Sequence, residues 1–415
     1  MRILNLIAMI LFICSNSLIA QEIAQWRGTE RDGIYPDKNL LKSWPENGPE
    51  LILSVKNIGK GYSSPVVYNG TIYVTGMFDS TDYLTAIDMK GNSKWQVPFG
   101  RSWLNDPPDT RSTPTIEGDR VYVVSGTGRL VCIDAGTGKE IWAVDVDKDF
   151  KSEWHTWGVA ESPLIVDDKV ICTPAGNETS LVAFDKMTGK LIWKSGSVGG
   201  KRSYVSPILF EYNTIRLILA MTTTSFFAVD PANGEVQWSY LFYLKSSDPR
   251  PSGSILANTP IFKNDEIYIT GGYNLPSVML KMAPDGKSVS EKWVDKTLDN
   301  HHHGVVVVNG YIYGSNWLNN NKGKWVCLNW DTGEVKYESD WISKGNIIYA
   351  DGMLYLYEEK SGYVGLAKAD PEKIEVISSF KITEGDGQHW SHPAIFDGNL
   401  YIRHGDVLLI YNIKA

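Results

Sequence analysis

The chain has 415 residues, 43% hydrophobic and 12% aromatic, so it carries enough apolar surface for a large folded core. Thirty-eight Gly and 19 Pro beside 15 Trp and 21 Tyr favour strands and turns. Forty Lys plus Arg against 48 Asp plus Glu give a net charge of −8, and no basic run exceeds two residues, which argues against a nucleic-acid partner.

The first predicted element, residues 1–20, is a signal peptide. Met1-Arg2 gives a short cationic start, Ile3 to Cys14 is almost wholly apolar, and Ala20 is a small residue before the polar Gln21. Cleavage near Ala20 implies a periplasmic or secreted protein. The apolar run is shorter than the roughly 20 residues that span a bilayer, and no later segment comes closer, so no integral membrane segment is expected. Ile13 stands where a lipoprotein signal needs a small residue, which argues against a lipid anchor on Cys14. The remaining Cys132, Cys172 and Cys327 are odd in number and widely spaced, and read as buried free thiols.

Residues 21–50, with Gln25-Trp26-Arg27-Gly28 and Arg31-Asp32-Gly33, contain no repeat and are expected to pack across one rim of the domain formed by the rest of the chain. From residue 51 onward the chain repeats itself. A small residue, Pro and an apolar strand, then a Gly or Asp turn and a second apolar strand, begin at Pro65, Pro114, Pro163, Pro260 and Pro393. Degenerate copies begin at Pro207, Val305 and Ile347. The second half of each unit has its own signature: Ala86-Ile87-Asp88, Cys132-Ile133-Asp134, Ala183-Phe184-Asp185, Ala228-Val229-Asp230 and Cys327-Leu328-Asn329 each precede a turn glycine. Four residues after that glycine comes Trp95, Trp142, Trp193, Trp238 or Tyr337. Each unit of about 45 residues supplies four short antiparallel strands, the content of one propeller blade. The prediction is an all-β, eight-bladed β-propeller over residues 51–415. Its last copy has room for three strands, so Leu51 to Val55 is the expected fourth, closing the ring.

With these motifs in hand, the chain resembles the PQQ-like repeat propellers, the quinoprotein alcohol dehydrogenase-like fold, over about residues 25–415. Gln25-Trp26-Arg27-Gly28, Trp157 to Pro163 and Trp325-Val326-Cys327-Leu328 resemble the exported group often described as similar to the outer-membrane assembly factor BamB. The resemblance implies the fold more firmly than an activity. Its dehydrogenase branch implies PQQ, a pair of adjacent cysteines and calcium ligands beside an Asp. The chain has no Cys-Cys pair, and no cofactor is expected, with PQQ kept as the alternative.

A propeller gathers the starts of its inner strands around one mouth of the central channel, so residues counted back from the blade-opening proline converge. Three residues back stand Tyr62, Arg111, Ala160, Tyr204, Ala257, His302, Lys344 and Trp390. Glu161, Asn258 and His303 stand two back, and His392 one back; Trp154, His155, Trp157, His301 and His389 fall on nearby loops. Charged and imidazole groups are costly at a strand start unless paired or wet, so this concentration marks the candidate ligand site.

Three functions suit the set. It could bind a small-molecule or saccharide ligand, or an envelope protein, without chemistry. It could act on an acidic polysaccharide as a lyase or hydrolase, with His303, His392, Tyr204 or Glu161 as the catalytic acid or base. It could hold a divalent metal on His302, His303, His392 and Glu161. Against these, Glu161 could simply pair with Arg111 or Arg202, and three consecutive histidines on a strand cannot all face one ligand.

Overall fold

The computed structural model describes residues 23–154, 156–247, 249 and 253–415, so the segment expected to be a signal peptide and His155 lie outside the described residues. From Val66 onward the chain lays down eight antiparallel sheets in sequence order, each a meander, to give an eight-bladed propeller. The first blade is Val66–Tyr68, Thr71–Phe78, Thr81–Asp88 and Ser93–Arg101; the seventh is Gly345–Ala350, Met353–Glu358, Tyr363–Lys368 and Val376–Lys381. The eighth has three strands of its own, Ala394–Phe396, Asn399–His404 and Val407–Asn412, and takes its outermost strand from Glu50–Val55, which pairs antiparallel with Val407–Asn412. The ring is thus closed by the N-terminal strand that the repeat count required.

The Ala-x-Asp and Trp signatures have a common structural cause. In blade after blade the register slips after the small residue, so that Ala86, Cys132, Ala183, Ala228 and Cys327 stand opposite Trp95, Trp142, Trp193, Trp238 and Tyr337. A small partner leaves room for the ring, and the bulge aims it at the next blade. There it covers the turn glycine: a Cβ on Gly189 would meet Trp142, and one on Gly234 would meet Trp193, both below 3 Å. The indole nitrogen completes the joint, as when Trp142 donates to the Lys186 carbonyl at 3.2 Å. The three cysteines are buried and free, and Cys132 and Cys327 are core residues at equivalent places. Among the described residues no helix is long and apolar enough to cross a membrane.

The segment before the ring departs from expectation. It does not stop at a rim. Ile23–Ala24 pairs with the first strand of the second blade, and Ile34–Tyr35 runs parallel to the first strand of the seventh. Between them the chain turns through left-handed conformations at Arg27, Gly28, Arg31 and Gly33, dropping two arginines into the channel. Arg31 donates to the carbonyls of Ser162, Pro163 and Pro207, and Arg27 to those of Val305, Ile347 and Asp32. Two side chains thus reach the first strands of blades three, four, six and seven, and plug the axis. Only after that does the segment lie over the ring, where Trp44 packs on Phe380 and Tyr355.

Candidate functional site

Above the plug lies a cavity of about 520 Å³ at the channel mouth. All eight residues standing three before the blade-opening position line it, one from each blade. None of the residues two before does, while Thr113, Ser162 and His392, one before, do. The alternation is that of extended backbone: successive side chains point to opposite sides, so odd offsets face the axis and even offsets face back into the blade.

This parity sorts the sequence-predicted residues. Arg111, Tyr204, His302, Lys344, Trp390 and His392 line the cavity, joined by Trp157 from its loop. Glu161, Asn258 and His303, at the even offset, point away and do structural work. Glu161 is 1% exposed, pairs with Arg202 at 2.9 Å and accepts the Thr173 amide at 3.0 Å. Asn258 donates to the carbonyls of Asn300 and His301 and accepts the Gly304 amide, clamping the histidine loop. Trp154 donates its indole N–H to Asp147 and stacks edge-on against Trp103, off the cavity wall. His389 also leaves the mouth, stacked on His404 at 3.8 Å with its Nδ1 on the Tyr357 hydroxyl. The metal set of His302, His303, His392 and Glu161 is therefore not assembled: Glu161 faces Arg202, and His392 is held between Arg27 and the His302 carbonyl.

Trp26 and Glu359 are among the wall residues that carry no signal in the repeat. Trp26 of the plug forms part of the cavity lining and meets His392 edge-on at 5.2 Å. Glu359 follows the second strand of the seventh blade, where no motif marks it. It accepts from Lys344 at 2.8 Å and His303 at 2.9 Å. Burial would raise its pKa, but these two neighbours outweigh it and hold the carboxyl down at about 2. Across the mouth, Tyr62 sits under Arg111, whose guanidinium lies 5.9 Å from the ring and donates to the carbonyls of Pro107, Pro108 and Asp109. Burial lowers the pKa of Arg111 below the usual guanidinium value, with partial compensation from Tyr62 and Asp109.

Three imidazoles lining this mouth, His301, His302 and His392, are held in the neutral form. Burial, then the charge near His303 and Lys344, brings His301 down to about 3; burial and neighbouring imidazoles hold His302 well below its ordinary value. Burial and Arg27 do the same to His392. Tyr204 accepts the backbone amides of Thr156 and Trp157 at 3.1 and 2.9 Å, which anchors its ring at the wall. The wall thus combines indoles, phenols and neutral imidazoles with the Arg111 guanidinium.

Comparisons with known proteins agree with this architecture. A quinohemoprotein alcohol dehydrogenase of Comamonas testosteroni is 28% identical over 223 residues, 44% of this chain and 30% of that protein. BamB of Burkholderia pseudomallei is 31% identical over 118 residues, 27% of each chain. The chain spans less than a third of the length of the curated dehydrogenases it matches. Among solved structures, BamB from Moraxella catarrhalis superposes with a TM-score of 0.62 at 16% identity, covering 88% of this chain and 98% of its own, a likeness of fold. The family model described as outer membrane protein assembly factor BamB matches residues 80–335, well over half of the chain, and the protein belongs to that family of PQQ-like propellers.

Proposed function

We propose that this chain is an exported propeller, periplasmic or secreted, that binds a saccharide or similar polar small molecule in the channel-mouth cavity without quinone chemistry. One observation carries the reading: eight aligned positions, one per blade and six of them aromatic or polar, form a single wall around about 520 Å³, a volume in the range of ligand sites. Trp26, Trp157, Trp390, Tyr62 and Tyr204 offer flat apolar faces, while Tyr204 and Arg111 supply polar edges. Quinone binding with a hard cation would need several free oxygen ligands. Among the described residues lining the cavity Glu359 is the one carboxylate, too few anionic oxygens for that pair.

The test is titration calorimetry on the mature chain with neutral and uronic-acid oligosaccharides, with Trp fluorescence as a second signal. Saturable binding that Trp390→Ala weakens at least tenfold supports the reading. Heatless titrations with every saccharide class overturn it. A protein occupant of the mouth is the second reading, supported by the assembly-factor name of several relatives; it predicts no response to any oligosaccharide.

A further inference from the structure

Two loops that the fold brings together place three metal-ligating side chains at the cavity's edge. His302 and His303 precede the strand Val306–Val308 of the sixth blade; Glu359 follows Met353–Glu358 of the seventh. Glu359 Oε2 lies 2.9 Å from His303 Nε2 and 3.6 Å from His302 Nε2. One ligand atom from each of the three falls within 4.8 Å of the others. Four ligands around zinc at 2.0–2.1 Å stand about 3.3 Å apart, the edge of the tetrahedron, and the two measured separations bracket that value.

We propose that His302, His303 and Glu359 form a site for a divalent first-row transition ion, with zinc the first choice. Two imidazoles and one carboxylate are a donor set that suits such ions and not calcium or magnesium. His302 and Glu359 line the cavity whereas His303 is wholly buried behind them, so the coordination position left open faces the ligand space. Lys344 stays on the other oxygen, Oε1, at 2.8 Å, and orients the carboxylate as an outer hydrogen bond does around many metals. With the ion seated, Glu359 and Lys344 cancel and the cluster keeps the metal's positive charge, which favours hydroxide or an anionic group in the fourth position. The set differs from one built on Glu161 and His392, whose side chains are spent on Arg202 and Arg27. It does not depend on the cavity's ligand being a saccharide.

The experiment uses the untagged mature chain, stripped with a chelator and titrated with zinc chloride, with bound metal counted by mass spectrometry. The expected result is one equivalent per chain, weakened at least tenfold in Glu359→Gln and in His302→Ala and retained in Glu161→Gln. Circular dichroism verifies that the variants fold. A second measurement needs no variant: zinc should slow carbethoxylation of His302 in the wild-type chain at least tenfold. Less than a tenth of an equivalent bound, equal affinity in Glu359→Gln, or unprotected His302 overturns the site.

Discussion

The guanidinium of Arg27 occupies the space that a side chain at position 304 would need: a Cβ on Gly304 would run into Nη1. Gly304 stands one residue before the sixth blade's opening position, where other blades carry Ser, Thr, Asn or His. The plug therefore demands glycine there. Its φ of +70° adds a second reason, since a side chain strains that conformation.

Gly304→Ala should therefore destabilise the fold by about 1–3 kcal/mol through overpacking and backbone strain. Arg27→Met should cost about 3 kcal/mol or more, because the carbonyls of Val305, Ile347 and Asp32 lose their donor. The double variant should lose less than the sum, since removing the guanidinium frees the space at 304. Chemical denaturation of all four proteins closes the cycle, and strict additivity would dismiss the plug as the cause.

Glu161 belongs to a buried ion network with Arg202 and Asp147, at 1% and 3% exposure for Glu161 and Arg202. Removing it strips Arg202 of one of its two buried carboxylate partners and leaves the Thr173 amide without an acceptor, so Glu161→Ala should lose about 3 kcal/mol of stability. Its side chain points into the blade, so the same variant should leave affinity at the cavity unchanged wherever it remains folded. Parallel melting curves and titrations check both halves, and a selective loss of binding would return Glu161 to the site.

The ring, its blade count and its closing strand were legible because they rest on repeated local spacing: Pro to strand end, Asp to Gly to Trp. The mouth was legible by the same alignment, but only as a set of offsets. Deciding that His302 faces the cavity while His303 faces inward takes the backbone parity at each strand start, which residue types do not disclose. The plug was missed for another reason. Arg27 and Arg31 occur once, outside the repeat, and their partners are backbone carbonyls that any sequence possesses. Glu359 likewise has no motif; its partners, His303 and Lys344, lie 56 and 15 residues away.

Ala160 and Ala257 are the small members of the eight-residue wall, each half-buried beside the cavity. Ala257→Trp should put a ring into the empty space without disturbing a blade. Ligand affinity should fall at least a hundredfold while stability shifts by no more than about 1 kcal/mol, the behaviour of a substitution facing open volume. Calorimetric titration beside a melting curve checks this, and undiminished affinity would place the ligand elsewhere.

Asp299 gives the mouth a pH dependence. Its two oxygens accept the amides of Asn274 and Trp317 at 3.0 and 3.1 Å and so tie together the loops carrying Tyr273 and Trp317, whose rings meet at 4.9 Å. At 5% exposure, burial raises its pKa to about 7, with a smaller push from Asp295 and opposition from the two amides. The folded chain thus holds this proton more tightly than the unfolded chain, whose carboxyl releases it near 4. The resulting stability is complete below about pH 4 and is lost as pH rises through 7, at up to about 1.4 kcal/mol per unit. Asp299→Asn, neutral throughout, should flatten that slope between pH 4 and 7 while leaving the slope outside the window alone. Denaturation midpoints measured across the window decide it, and identical slopes in the two proteins would show that the carboxyl is ionised in the fold.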